Sequence, residues 1–87
     1  MAIALSKCRG YDEALKAFDR AIELNPSLAY IWYNRACAHA QCGNKEKSLS
    51  DLAVAIGMEP EYIKIAEGDE SFENIRDNQD FKRLVSC

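Results

Sequence analysis

The chain has 87 residues, with 11 Lys+Arg against 14 Asp+Glu and a formal net charge of −3. A chain of this length makes one small domain, burying about two-thirds of the surface its unfolded form exposes, which leaves little room for a large enclosed active site. Its mildly acidic balance, with no basic stripe interleaved with aromatics, speaks against nucleic acid or an anionic membrane as partner, and its apolar runs are too short to span a bilayer.

Residues 1–5 are apolar but have no basic segment ahead of them, and Ser6-Lys7-Cys8-Arg9 interrupts the run before a signal-peptide core forms. The expected location is therefore the cytoplasm. Residues 1–8 read as a shortened leading helix. Residues 12–24 carry Ala14, Leu15, Phe18, Ala21 and Ile22 at the three-and-four spacing of one helical face, with Asp12, Glu13, Lys16, Asp19, Arg20 and Glu23 on the other. Asn25-Pro26 ends this helix, because the residue before a proline is pushed out of helical geometry and proline has no N–H to donate.

Ser27 is a candidate cap for a second helix over 28–41, which is apolar on more than one side through Leu28, Ala29, Ile31, Trp32, Ala36, Cys37 and Ala40. Gly43-Asn44 supplies a turn, and residues 45–58 form a partner helix with Leu49, Leu52, Ala53 and Ile56 inward. Ala36 and Ala55 are small enough to let these two helices approach closely. Beyond Pro60 the pattern shortens. A helix over 61–66 is halted near Gly68, Ser71 is a candidate cap for a turn containing Phe72 and Ile75, and Asn78 for a last turn with Phe81, Leu84 and Val85 inward. Residues 59–80 hold eight acids and two bases, a solvated face or an acidic recognition patch.

The chain also repeats itself. Ala2, Ala4, Cys8, Leu15, Ala21, Ile22 and Pro26 are matched 34 places on by Ala36, Ala38, Cys42, Leu49, Ala55, Ile56 and Pro60. Average residue usage would give roughly two such identities over the same stretch. That period belongs to helix–turn–helix units that bury their apolar faces by stacking on neighbours and leave surface for partners.

Chemistry has little foothold. One histidine, no nucleophile setting and no Gly-rich loop leading into a helix give no catalytic constellation. Cys37, His39 and Cys42 stand two and five apart, off a common helix face, and lack a fourth ligand. No enzyme activity, metal or cofactor is expected. The four cysteines, without a Cys-x-x-Cys, read as reduced thiols.

At these residues the chain resembles the tetratricopeptide repeat (TPR) family. Tyr11, Ala14, Phe18, Ala21 and Pro26 fit the second helix of one unit, and Trp32, Asn34, Ala36, Leu52, Ala55 and Pro60 fit a second unit. Arg35 in place of Leu, His39 and Lys45 in place of Tyr, and Ser48 in place of Ala are departures. The tail, through Asp69, Phe72, Ile75, Arg76, Phe81 and Leu84, is similar to the ending of some bacterial members.

The resemblance implies an all-α, single-domain, right-handed α-solenoid of stacked helical hairpins: a truncated first repeat (1–26), a complete repeat (27–60) and C-terminal capping helices (61–87). It implies a protein-binding adaptor that takes a peptide or helix of a partner protein in a concave groove. The groove residues would be Tyr30, Tyr33, Asn34, Cys37, Gln41 and Lys64, with Ile3 and Lys7 at the margin. Tyr30 and Tyr33 would be anchors or, equally, packing residues. One subgroup clamps the C-terminal carboxylate of chaperones; Asn34 and Lys64 fit two of its positions, and the other donors are absent. The alternative is an oligomerising or structural C-terminal end-piece of a larger scaffold, a homo-oligomer joined through its N-terminal edge where Tyr11, Leu15 and Phe18 are partly bare.

Overall fold

Five α-helices and one 3-10 turn follow one another in the computed structural model, which describes the backbone of residues 2–86 and the side chains of residues 10–85. They are α1 (Ala2–Leu24), α2 (Ala29–Gln41), α3 (Lys45–Met58), α4 (Tyr62–Gly68), the 3-10 turn Glu70–Ile75, and α5 (Gln79–Ser86). There is no strand among the described residues. Each helix of the α1–α2–α3 series packs on the next, and the tail elements return over α2 and α3. The body is flat, 37 × 33 × 17 Å.

The α2–α3 seam is the centre of the fold. Ala36 and Ala40 of α2 and Leu52 and Ala55 of α3 are all fully buried. The absence of bulk at the alanines lets the backbones approach closely enough for Ser48 Oγ to donate a 2.8 Å hydrogen bond to the Ala36 carbonyl. A hydroxyl at a fully buried seam position is stable only with such a partner. The turn between the helices rests on Gly43, whose φ of 85° lies in the left-handed region open to glycine. Leu49 and Ile56 are half-buried as expected; Ala53, read as inward, faces solvent.

The first unit departs from expectation. A turn near residues 9–11 should separate a short leading helix from the helix over 12–24, yet α1 runs unbroken. The internal register supplies the reason. Moving Gly43 back by 34 lands on Arg9, with Gly10 one residue late at the place of Asn44, and a residue with a Cβ pays about 1–2 kcal/mol to enter the left-handed region that this turn uses. A continuous helix avoids that cost. The margin residues Ile3 and Lys7 have side chains outside the described range.

Caps also differ. Ser27 does not cap α2; its N–H and hydroxyl both donate to Asn25 Oδ1, at 3.3 and 2.7 Å, tightening the Asn25-Pro26 corner, and Leu28 takes the N-cap place without a side-chain bond. Asp69, not Ser71, caps the 3-10 turn, accepting from the Ser71 N–H at 2.9 Å. Asn78 caps α5 as expected, accepting from the N–H groups of Asp80 and Phe81. The tail carries the rest of the core: Phe72, Ile75 and Phe81 are buried, with ring centroids 5.5 Å apart for the two phenylalanines. No helix among the described residues is long and apolar enough to cross a membrane.

Candidate functional site

The surroundings of α2 divide into a covered half and an open half. In the covered half Tyr33, expected as a groove anchor, is buried beneath the returning tail. Its ring stacks on Tyr62 at 4.8 Å and meets Phe72 edge-on at 5.7 Å, and its hydroxyl donates to Asp69 Oδ2 at 2.5 Å. Cys37 Sγ lies 3.8 Å from the same oxygen. Burial, and then the Asp69 hydrogen bond, push the Tyr33 phenol far above its ordinary value. Burial and the Asp69 charge push the Cys37 thiol up to about 11, so it stays a poor nucleophile at neutral pH. Asp69 itself is held below its usual range: burial opposes the charge, but hydrogen bonds from Tyr33, Ser71 and Cys37 outweigh it. Tyr33 is therefore a packing residue, because the tail takes the place a ligand would need.

The open half is a hollow of about 210 Å³ between α1 and α2. Tyr11, Ala14 and Phe18 of α1 form one wall; Asn34, Cys37, Ala38 and Gln41 of α2 form the other, and Ser71 closes one end. Both aromatic side chains of α1 are half-buried, and Asn34 is exposed. The lining is thus mostly apolar, with two amides and the hydroxyls of Tyr11 and Ser71 able to orient a ligand. Of the expected groove residues, the structure brings together Asn34, Cys37 and Gln41. Tyr30 is 54% exposed and Lys64 is exposed on α4, and neither lines the hollow. Tyr11, Ala14, Phe18, Ala38 and Ser71 are additional lining residues. The bare aromatic edge of α1 was readable in the sequence; its meeting with Asn34 and Gln41 was not.

A polar cluster lies apart from the hollow, also between α1, α2 and α3. Arg35 donates to both oxygens of the buried Asp51, at 2.7 and 2.8 Å, and to Asp19 of α1 at 2.6 Å. Its guanidinium also sits 5.0 Å above the Trp32 ring, a cation–π contact, while the Trp32 indole N–H donates to the Pro26 carbonyl at 2.8 Å. Two of the sequence's departures from the repeat pattern, Arg35 and His39, thus converge on Asp51, whose counterpart one unit earlier is Ala17. His39 Nε2 is 3.7 Å from Asp51, too long for a hydrogen bond, and its Nδ1 is buried with no partner among the described residues.

Burial holds the His39 imidazole below its usual range, with Arg35 and Lys47 adding in the same direction and Asp51 and Asp19 opposing. A base with a depressed folded pKa takes its proton more readily when unfolded. Its contribution to stability is full above the ordinary value of 6.5 and is lost as pH falls through and below it. His39 is the sole histidine. Urea midpoints should therefore fall between about pH 7.5 and about pH 5.5, and His39→Gln should flatten that difference; an unchanged slope in the variant would assign it to other groups.

Comparison with known proteins follows the same geometry. A family profile described as TPR repeat matches residues 10–43, and one described as Tetratricopeptide repeat matches residues 29–62. Serine/threonine-protein phosphatase 5 of Homo sapiens is 38% identical over 58 residues, 67% of this chain and 12% of that protein. The Hsp70-Hsp90 organising protein of Plasmodium falciparum is 32% identical over 65 residues, 70% of this chain and 12% of that protein. A TPR repeat-containing protein of Rhizobium etli is 36% identical over 55 residues, 63% of this chain and 27% of that protein. The chain thus spans a minor part of the length of these relatives. No solved structure matches it.

Proposed function

We propose, from the premise that this chain belongs to the tetratricopeptide repeat family, that it is a protein-interaction module which docks a helix or helical peptide of a partner protein in the hollow between α1 and α2. The observation that carries this reading is the bare, mostly apolar lining formed by Tyr11, Ala14 and Phe18 opposite Asn34 and Gln41. A helix can bury such a strip through residues at three-and-four spacing, while the amides fix its register. In this reading 1–26 is a truncated unit that lacks its folded-back leading helix, 27–60 is a complete unit, and 61–87 caps the far side. The reading is one of binding without catalysis. A cytoplasmic working place accords with Cys37 as a reduced thiol.

Two relatives carry Hsp70 and Hsp90 or a phosphatase in their names, but capture of a chaperone carboxylate is not the use proposed. Of the donors such a clamp needs, this chain offers Asn34 and Lys64 alone, and few donors hold a carboxylate weakly.

The test uses amphipathic helical peptides selected against the chain from a display library. Asn34→Arg and Gln41→Arg put bulk and charge into the hollow from partly solvated positions, so the circular dichroism spectrum should not change. Binding should weaken about tenfold or more. Peptides held equally by these variants would remove the hollow from the binding site.

A further inference from the structure

We infer that the helix the hollow receives is segment 2–9 of a second copy of this chain, laid antiparallel on the Tyr11–Ala14 end of α1. This rests on the reading of the hollow as a helix-docking surface and names its occupant.

The internal register identifies the missing contact. Moved back by 34, α3 falls on the later part of α1, and the second half of α2 falls on residues 2–8, with Ala2, Ala4 and Cys8 at the places of Ala36, Ala38 and Cys42. In the second unit these two stretches meet within one chain, through Ser48 on the Ala36 carbonyl and through Ala36 and Leu52, both fully buried. They meet because the chain reverses at Gly43. In the first unit the counterparts of Ser48 and Leu52 are Ala14 and Phe18, and both are left half-buried on the wall of the hollow.

By the same register the segment that would cover Ala14, residues 2–8, is present in the sequence but is carried away, while Phe18 lies beyond its reach. With Arg9 in place of the turn glycine, residues 2–9 continue α1 as one unbroken helix. An unbroken helix cannot fold onto its own side, so the complementary segment reaches such a face only on another molecule. Exchange of an identical element between copies follows when a hinge fails to reverse. The register also closes. Shifting the Ser48–Ala36 pairing back by one unit sets position 14 opposite position 2, so a two-fold axis crosses the paired α1 helices near position 8. Each copy then gives and receives the same segment, an isologous contact that ends at two molecules.

Light scattering and analytical sedimentation of the purified chain over micromolar to sub-millimolar concentrations test the inference. A monomer–dimer equilibrium is expected. Arg9→Gly restores the residue that allows reversal, so segment 2–9 closes onto its own chain and dimerisation weakens by about tenfold or more. Ala14→Arg blocks the receiving face and should abolish the dimer with its circular dichroism retained. A chain that stays monomeric throughout, or a dimer indifferent to both substitutions, overturns the inference. Peptide binding lost in Asn34→Arg, on a chain that never dimerises, would retain the docking reading while removing the second copy as its occupant.

Discussion

Replacing Asp51 with alanine is expected to lower the free energy of unfolding by about 3–5 kcal/mol, the cost of stripping a partly buried guanidinium of the better buried of its two carboxylate partners. The whole stability of a domain this small is about 5 kcal/mol, so the variant should be largely unfolded near body temperature. Asp51 is 5% exposed and accepts two of the Arg35 hydrogen bonds. Its removal leaves the guanidinium with Asp19, whose side chain is 59% exposed and well solvated. Asp19→Ala should cost under about 1 kcal/mol for the same reason. Joint replacement of Arg35 and Asp51 by leucine should recover most of the loss, because apolar side chains carry no desolvation penalty. Urea denaturation followed by circular dichroism measures all three; a loss below about 1 kcal/mol in Asp51→Ala would mean that water reaches the pair.

Phe72→Ala is expected to cost about 3–5 kcal/mol. Phe72 is fully buried against Tyr33 and Phe81, at the point where the tail is pinned to α2. The cavity would loosen the 3-10 turn and with it the hydrogen bond from Tyr33 to Asp69. A second reading accompanies the stability loss: the Tyr33 phenol should begin to titrate near the ordinary value of about 10, visible by ultraviolet absorbance. Tyr30→Ala, at an exposed position, should change stability by less than about 0.5 kcal/mol. Equal losses in the two variants would remove the tail from the core.

The sequence made α3 legible to the residue, because a glycine turn before it and a proline after it bracket an amphipathic run. It also carried the close α2–α3 seam, since alanine at both Ala36 and Ala55 leaves one way to fill the space. Other features depended on long-range geometry. A three-residue spacing puts Tyr33 near Tyr30 on α2 but says nothing of the tail returning from Asp69 to bury one and spare the other. Arg35 and His39 were visible as departures from the repeat, one turn apart, yet their shared target Asp51 is on another helix. The unbroken α1 was latent at Arg9, and only the structural role of Gly43 shows what that position must do.

The bond between Arg35 and its two aspartates has a thermal consequence. Hydration of charged groups becomes less favourable as water warms, so withdrawing an ion pair from solvent grows cheaper on heating, while the gain from apolar contact levels off. The network that joins α1 to the α2–α3 pair therefore supplies a larger share of the cohesion of this small body at high temperature than in the cold.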